Sequence, residues 1–257
     1  MEIKKASALY FSPTGGTKKI AERIAACAYE SYEYLDVTVQ AAEQSFGPDE
    51  LVVLAVPVYG GRVPWPVSER LAHVTAQGTP AVIVAVYGNR AFEDALLELR
   101  TMAEERGFRV MAAAAFIARH SIVPEFGAGR PDAEDMRKID DFAQRVRDRL
   151  DYVSPESLPT AIVPGNREYR KYDGVPMHPA VSKSSCVRCG RCAAECPVGA
   201  ISRTDPTKTD NDKCITCMRC VAVCPQFARS LGKVKLAAAK LSLKKVCEER
   251  REPELFM

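Results

Sequence analysis

Nine of the ten cysteines in this 257-residue chain lie after residue 185. Eight of them form two runs with the same spacing. Cys186, Cys189, Cys192 and Cys196 are followed by Pro197; Cys214, Cys217, Cys220 and Cys224 are followed by Pro225. Thiolates separated by two residues can wrap three corners of an iron–sulfur cubane, and a fourth, followed by proline, turns away to ligate a second cubane. This reading assigns one [4Fe-4S] cluster to Cys186, Cys189, Cys192 and Cys224, and the other to Cys214, Cys217, Cys220 and Cys196. Zinc is the competing chemistry, but a zinc site pairs two short Cys-x2-Cys elements and needs no third and fourth cysteine at fixed offset. Small residues beside the ligands (Gly190, Ala193, Gly199, Ala200) let backbone amides approach the sulfides, which tunes potential. Cys27, on an apolar helix face, reads as core, and Cys247, without partner spacing, as a non-ligand.

A second constellation opens the chain. An apolar run leads into Ser12, Pro13, Thr14, Gly15, Gly16 and Thr17, which begin a helical pattern. Alternate hydroxyls, glycines that permit close approach and a helix N-terminus make a phosphate cradle. The loop lacks both the Gly-Lys-Ser/Thr ending of an ATP-type loop and Gly-x-Gly-x-x-Gly. With no basic residue inside it, it suits a monophosphate held by hydroxyls and amides. Two more loops follow apolar runs: Pro57, Val58, Tyr59, Gly60, Gly61 and Arg62, then Tyr87, Gly88, Asn89, Arg90 and Phe92.

The elements that must position these residues alternate. Strands are expected at 7–12, 34–39, 51–59, 81–87 and 109–118, and helices at 17–27, 67–74, 91–107 and 132–150. Runs 51–59 and 81–87 are apolar throughout, as in strands buried on both faces. This pattern predicts a doubly wound parallel sheet, with the three loops gathered beyond the carboxyl ends of strands one, three and four, where such sheets bind ligands. Residues 152–182 hold five of the seventeen prolines and read as a linker. The expected units are therefore 1–151, the linker 152–182, a cysteine module 183–230 and a basic helix with tail 231–257. Tyr169 and Tyr172 read as aromatics pinning the linker to a domain surface.

The cysteine module resembles the bacterial two-[4Fe-4S] ferredoxins over some 45 residues. Residues 4–150 resemble the flavodoxin family: residues 12–17 match its FMN-phosphate loop, and the two later loops match those that sandwich the isoalloxazine ring. The resemblance implies a short flavodoxin-like five-stranded sheet of order 2-1-3-4-5, followed by a small α+β ferredoxin domain. As a whole the chain resembles the flavodoxin–ferredoxin fusion proteins. That implies FMN and two [4Fe-4S] clusters, with Ser12–Thr17, 57–61, 87–90 and Phe92 around the flavin. Phe92, Tyr87 and Tyr59 are all available to stack on the ring. Arg62 or Arg90 would hold negative charge near a reduced flavin or on a substrate carboxylate, with a surface ion pair as the alternative. Trp65 either shields the ring or packs on the second domain. His120 reads as a hydrogen-bonded strand-end histidine before it reads as a proton donor, and His178 is weaker still.

Composition bounds the rest. With 47% apolar and 27% charged residues the chain is globular. Its longest apolar runs are about nine residues, half of a membrane span. No signal-peptide pattern is present, which argues against a secreted or membrane-spanning protein; the oxygen lability of such clusters and the family resemblance imply an anaerobic cytoplasm. Residues 1–150 carry net −3 and the remainder +6, which favours docking of the halves rather than nucleic-acid binding. The helix at 233–251 reads as packed on its own protein with a solvated basic face, a membrane-surface helix being the alternative. Three functions remain open: an electron carrier serving a redox partner protein or small acceptor, an FMN-dependent reductase of a small substrate or quinone, and a redox sensor. A homodimer, with the clusters of one subunit beside the flavin of another, also stays open.

Overall fold

The computed structural model describes residues 3–153 and 157–257. Residues 154–156 of the predicted linker, Pro155 among them, lie outside the described residues. The first half runs β1 (Lys5–Tyr10), α1 (Gly16–Ala28), β2 (Tyr32–Asp36), β3 (Gln44–Phe46), β4 (Glu50–Pro57), α2 (Pro66–Leu71), β5 (Val74–Ala76), β6 (Pro80–Tyr87), α3 (Ala95–Glu105), β7 (Arg109–Ile117) and α4 (Ala133–Tyr152). The second half holds β8 (Ala180–Val181), α5 (Arg191–Ala194), α6 (Arg219–Ala222), β9 (Arg229–Ser230), α7 (Lys233–Cys247) and β10 (Glu254–Phe256).

The main sheet has the order β10-β7-β6-β4-β1-β2. Its neighbours are parallel except β10 on β7. Strand β6 shows why apolar runs lie at the centre. Val82, Val84 and Val86 join the layer beneath α1 and α4, while Ala81, Ile83 and Ala85 join the layer beneath α2 and α3. A strand covered on both faces loses the polar half of its alternation. In the first layer Phe116 meets Phe142 edge-on at 6.0 Å. The start of α4 is fixed by a reciprocal cap: Asp132 accepts from Glu134 and Asp135 amides, and Asp135 accepts from the Asp132 amide. Such a cap contributes about 1 kcal/mol.

Two expectations are corrected. The sheet has six strands, not five, because the tail returns and pairs Leu255 with Ala114 of β7. β10 covers an edge that would otherwise present unpaired backbone groups; three residues carry too little pattern to be read in sequence. Helix α3 begins at Ala95, not 91, because the buried Asp94 carboxylate accepts from the amides of Asn166 and Arg170 instead of capping the helix. Those bonds, with Ala161 donating to the Val110 carbonyl, make residues 157–177 a strap laid on the sheet domain.

The cysteine module is an internal repeat with an offset of 28 residues, Cys186 to Cys214. Its backbone repeats as well. Left-handed φ recurs at Arg188 (56°) and Thr216 (53°), at Gly190 (74°) and Met218 (64°), and at Gly199 (61°) and Phe227 (49°). Non-glycine residues adopt this conformation at a cost. Its recurrence at matched positions shows that the chain must wrap the same way twice.

Candidate functional site

The repeat builds two cavities. One is lined by Cys186, Cys189, Cys192 and Cys224, the other by Cys196, Cys214, Cys217 and Cys220. Each therefore takes three cysteines from one run and the fourth from the other. The fourth cysteines also match: the Ala200 amide donates to Cys196 Sγ and the Ala228 amide to Cys224 Sγ, both at 3.3 Å. Burial pushes the Cys217 thiol up to about 12 and the Cys220 thiol up to about 11. Thiols so desolvated ionise only when a cation compensates the charge, and bound metal does this. Arg229 lies between the cavities and lines both. It is buried, donating to Thr209 Oγ1 and the Pro206 carbonyl. Cys27 packs on the first core layer against Asp140, and Cys247 is buried beside Val123 and Phe126; neither is near a cysteine cavity.

The sheet domain contributes a cleft beyond its strand ends. At one end a cavity of about 530 Å3 contains Thr14, Gly15 and Gly16, with Lys19 and Arg119 supplying the positive charge absent from the loop itself; Arg130, also in the lining, is paired with the buried Asp135. Gly15, at the N-cap of α1, offers no side chain and turns the chain into the helix with φ 89°. A helix N-terminus facing a cavity attracts an anion by its dipole and by those first-turn amides that no side chain takes up. Thr17 is buried, and Ser12 is inside the loop, its Oγ accepting from the Lys18 amide. The Pro13 carbonyl faces the cysteine module and accepts from Arg219.

At the other end a cavity of about 210 Å3 is lined by Val58, Tyr59, Gly60, Tyr87, Gly88 and Arg90. The two cavities share His120, Ser121 and Ile122. Together they fall within the size of ordinary cofactor sites. Their roof is the second half of the chain: Met218, Val221, Ala222 and Leu236 over the first, Ile215, Thr216, Ala239 and Leu243 over the second. Tyr172 of the strap also enters. Its ring lies where a Cβ on Gly60 would be, 2.1 Å away, which is why that position, at φ 60°, is glycine. No local pattern marks these roof residues; only the linker tyrosine was a visible signal.

Several expected flavin contacts are committed elsewhere. Asn89 is buried and ties the C-terminal segment, donating to the carbonyls of Cys247 and Glu249 and accepting from the Arg251 amide. Phe92 is buried in the second core layer, 5.7 Å from the Tyr87 ring, so it offers no free face for stacking. Gly61, at φ 88°, makes room for Glu93, and Pro57 ends β4. Arg62 forms the ion pair of the alternative reading, with Glu98 at 2.7 Å, and lies over the Tyr169 ring at 4.8 Å. Arg90 pairs with Glu93 while still lining the cleft. Trp65 is half exposed beside a separate crevice with Tyr59 and Tyr172. Burial lowers His120 to about 4, and its Nδ1 accepts from the amides of Ile122 and Val123. It is a neutral, hydrogen-bonded strand-end histidine with its proton on Nε2. Burial raises the Tyr59 phenol well above its ordinary value, with added repulsion from Cys217 and Tyr172.

The cavities are linked in series. Ile215 and Thr216 line both the Tyr59 cavity and the cavity of Cys214 and Cys217. Cations of the C-terminal half meet anions of the first: Arg250 reaches Asp132 and Glu134, and Lys240 reaches Glu125. Each exposed pair is weak, but together they orient the halves.

Residues 178–238 match the 4Fe-4S dicluster domain family. The chain joins a flavodoxin-like fold to a ferredoxin-type 4Fe-4S domain. The order of the parallel sheet carries the first part and the family match the second. Among solved structures, a flavodoxin from the domain Archaea aligns at 16% identity over 58% of this chain and all of its own, with TM-score 0.41. Flavodoxin 1 from Bacillus cereus aligns at 15% over 59% of this chain and all of its own, TM-score 0.39. An azoreductase from Bacillus anthracis str. Sterne aligns at 10% over 56% of this chain and all of its own, TM-score 0.38. No curated protein matches the chain in sequence. No helix among the described residues is long and apolar enough to cross a membrane.

Proposed function

We propose that this is an electron-transfer iron–sulfur flavoprotein that holds FMN in the strand-end cleft and two [4Fe-4S] clusters in the cysteine cavities. In this reading, 1–151 is the flavin unit and 183–230 the cluster unit, with the strap and α7 binding them together. Bound there, the clusters supply one-electron chemistry and the flavin converts between one- and two-electron chemistry. The residues fit these groups. The α1 amides and Lys19 hold a phosphate, Val58–Gly60 and Tyr87–Gly88 flank a ring, and Ile215, Thr216 and Met218 exclude water from above. The amides of Ala200 and Ala228 hold negative charge on Cys196 and Cys224.

The single observation that carries the reading is the shared wall at Ile215 and Thr216, which puts a cysteine cavity against the cleft within one molecule. A second reading, a reductase of a small substrate or quinone, draws support from the crevice of about 540 Å3 on the far side of Tyr59 and Tyr172. An anaerobic reductive titration, with iron and FMN counted, decides between them. Single-electron steps seen by EPR, with eight irons and one FMN per chain, support the carrier. Flavin bleaching only in electron pairs moves the assignment to the reductase, and absence of either cofactor defeats both.

A further inference from the structure

The repeat gives the cysteine module two equivalent faces, and only one is used internally. Around Cys214–Cys220 the face is covered by the sheet domain. Ile215 packs on the second core layer, Thr216 Oγ1 donates to the Met177 carbonyl, Cys217 and Met218 are buried, and Arg219 donates to the Pro13 carbonyl of the phosphate loop. At the positions 28 residues earlier the counterparts are Val187, Arg188, Cys189, Gly190 and Arg191. Val187 is 64% exposed, and Cys189, Arg188 and Arg191 are exposed as well. Phe227, beside the same cavity, is 88% exposed. An exposed valine and phenylalanine flanking an exposed cysteine form an uncovered copy of a face that is elsewhere an interface.

Resting on the function proposed above, we propose that this free face, built on Val187, Arg188, Cys189 and Phe227, is the docking site for an acidic one-electron carrier protein. Serial order supports it. The cavity of Cys186, Cys189, Cys192 and Cys224 shares no lining residue with the flavin cleft and meets the other cysteine cavity at Arg229. It is the terminal site of the series and the one open to a partner. Charge selects the partner. Lys183, Arg188 and Arg191 are exposed around the apolar pair; of the nearby carboxylates, Glu195 is held by Arg191 and Arg219, and Asp205, which feels the charge of Arg188, is held by Thr207 and Lys208. A second copy of the same basic face would be repelled, whereas an acidic carrier is attracted and steered.

The test uses the loaded full chain and, as probe, a reduced acidic plant-type [2Fe–2S] ferredoxin in anaerobic stopped flow, with dithionite as the small reductant. Arg188→Glu and Phe227→Glu should each slow reduction by the ferredoxin at least tenfold and flatten its salt dependence. Reduction by dithionite and iron content should be unchanged. The redox-independent readout is ferredoxin binding by titration calorimetry, which should weaken in parallel. Should either variant lose iron, Lys183→Glu, on the same face but outside the cysteine runs, decides in its place. Unchanged ferredoxin rates in iron-replete variants overturn the proposal, as does slowing by Lys244→Glu on α7 instead. Self-association through this face, abolished by Phe227→Glu, also overturns it. Iron and flavin counts of the unmodified protein test the underlying reading separately.

Discussion

Asn89→Ala separates the tertiary role of this residue from the flavin contact that its sequence context implies. The Asn89 side chain makes hydrogen bonds of 2.7, 2.7 and 3.0 Å to the Cys247 and Glu249 carbonyls and the Arg251 amide. At about 1 kcal/mol net each, their loss removes roughly 3 kcal/mol from the attachment of the C-terminal segment. Asn89 also has φ 67°. Alanine there adds about 1 kcal/mol of backbone strain, and Asn89→Gly removes the side chain without that strain. The expected losses are therefore about 4 kcal/mol for alanine and about 3 for glycine. At 1.4 kcal/mol per decade, local opening rises on the order of a hundredfold or more in both. Hydrogen exchange read by mass spectrometry on peptides spanning 248–257 measures it, since these amides exchange through local opening. FMN affinity should fall in both, because α7, which ends at Cys247, roofs both cavities of the cleft proposed to hold it. Unchanged exchange with FMN lost would restore Asn89 as a direct flavin contact. An effect in alanine but not glycine would leave strain as its whole cause.

Two further outcomes are expected. In Cys196→Ala, iron falls by half and the EPR spectrum matches that of Cys217→Ala, not Cys189→Ala; a match to Cys189→Ala would refute the crosswise ligand sets. His120 is held neutral by burial, near 4 against an ordinary 6.5, so the unfolded chain protonates first. Stability from this group is complete above pH 6.5 and declines toward pH 4, by on the order of 3 kcal/mol. His120→Asn, which keeps an acceptor for the Ile122 and Val123 amides, should flatten denaturant midpoints across that window, and an undiminished pH slope would exclude His120 as its source.

Whatever depends on neighbours along the chain was legible in the amino-acid order. Cysteine spacing needs no tertiary context, because two-residue gaps and a following proline already sort the thiols into the two sets that line the two cavities. Apolar runs at 51–59 and 81–87 announced strands covered on both faces, and these became β4 and β6. The glycine-rich turn at 12–17 marked a helix start, and its residues 14–16 line a cavity. Tertiary structure alone decided what closes over those sites. Asn89 and Phe92 sit in a loop whose type suggested a flavin, yet one binds the returning tail and the other fills the core. β10 pairs with a strand more than 130 residues earlier, and its three residues carry no period of their own. The same repeat leaves Ile215 packed against the sheet domain and Val187 bare. Sequence makes those faces equivalent; only packing against the sheet domain distinguishes them, because burial belongs to the assembled surfaces and not to a residue's type or its immediate neighbours.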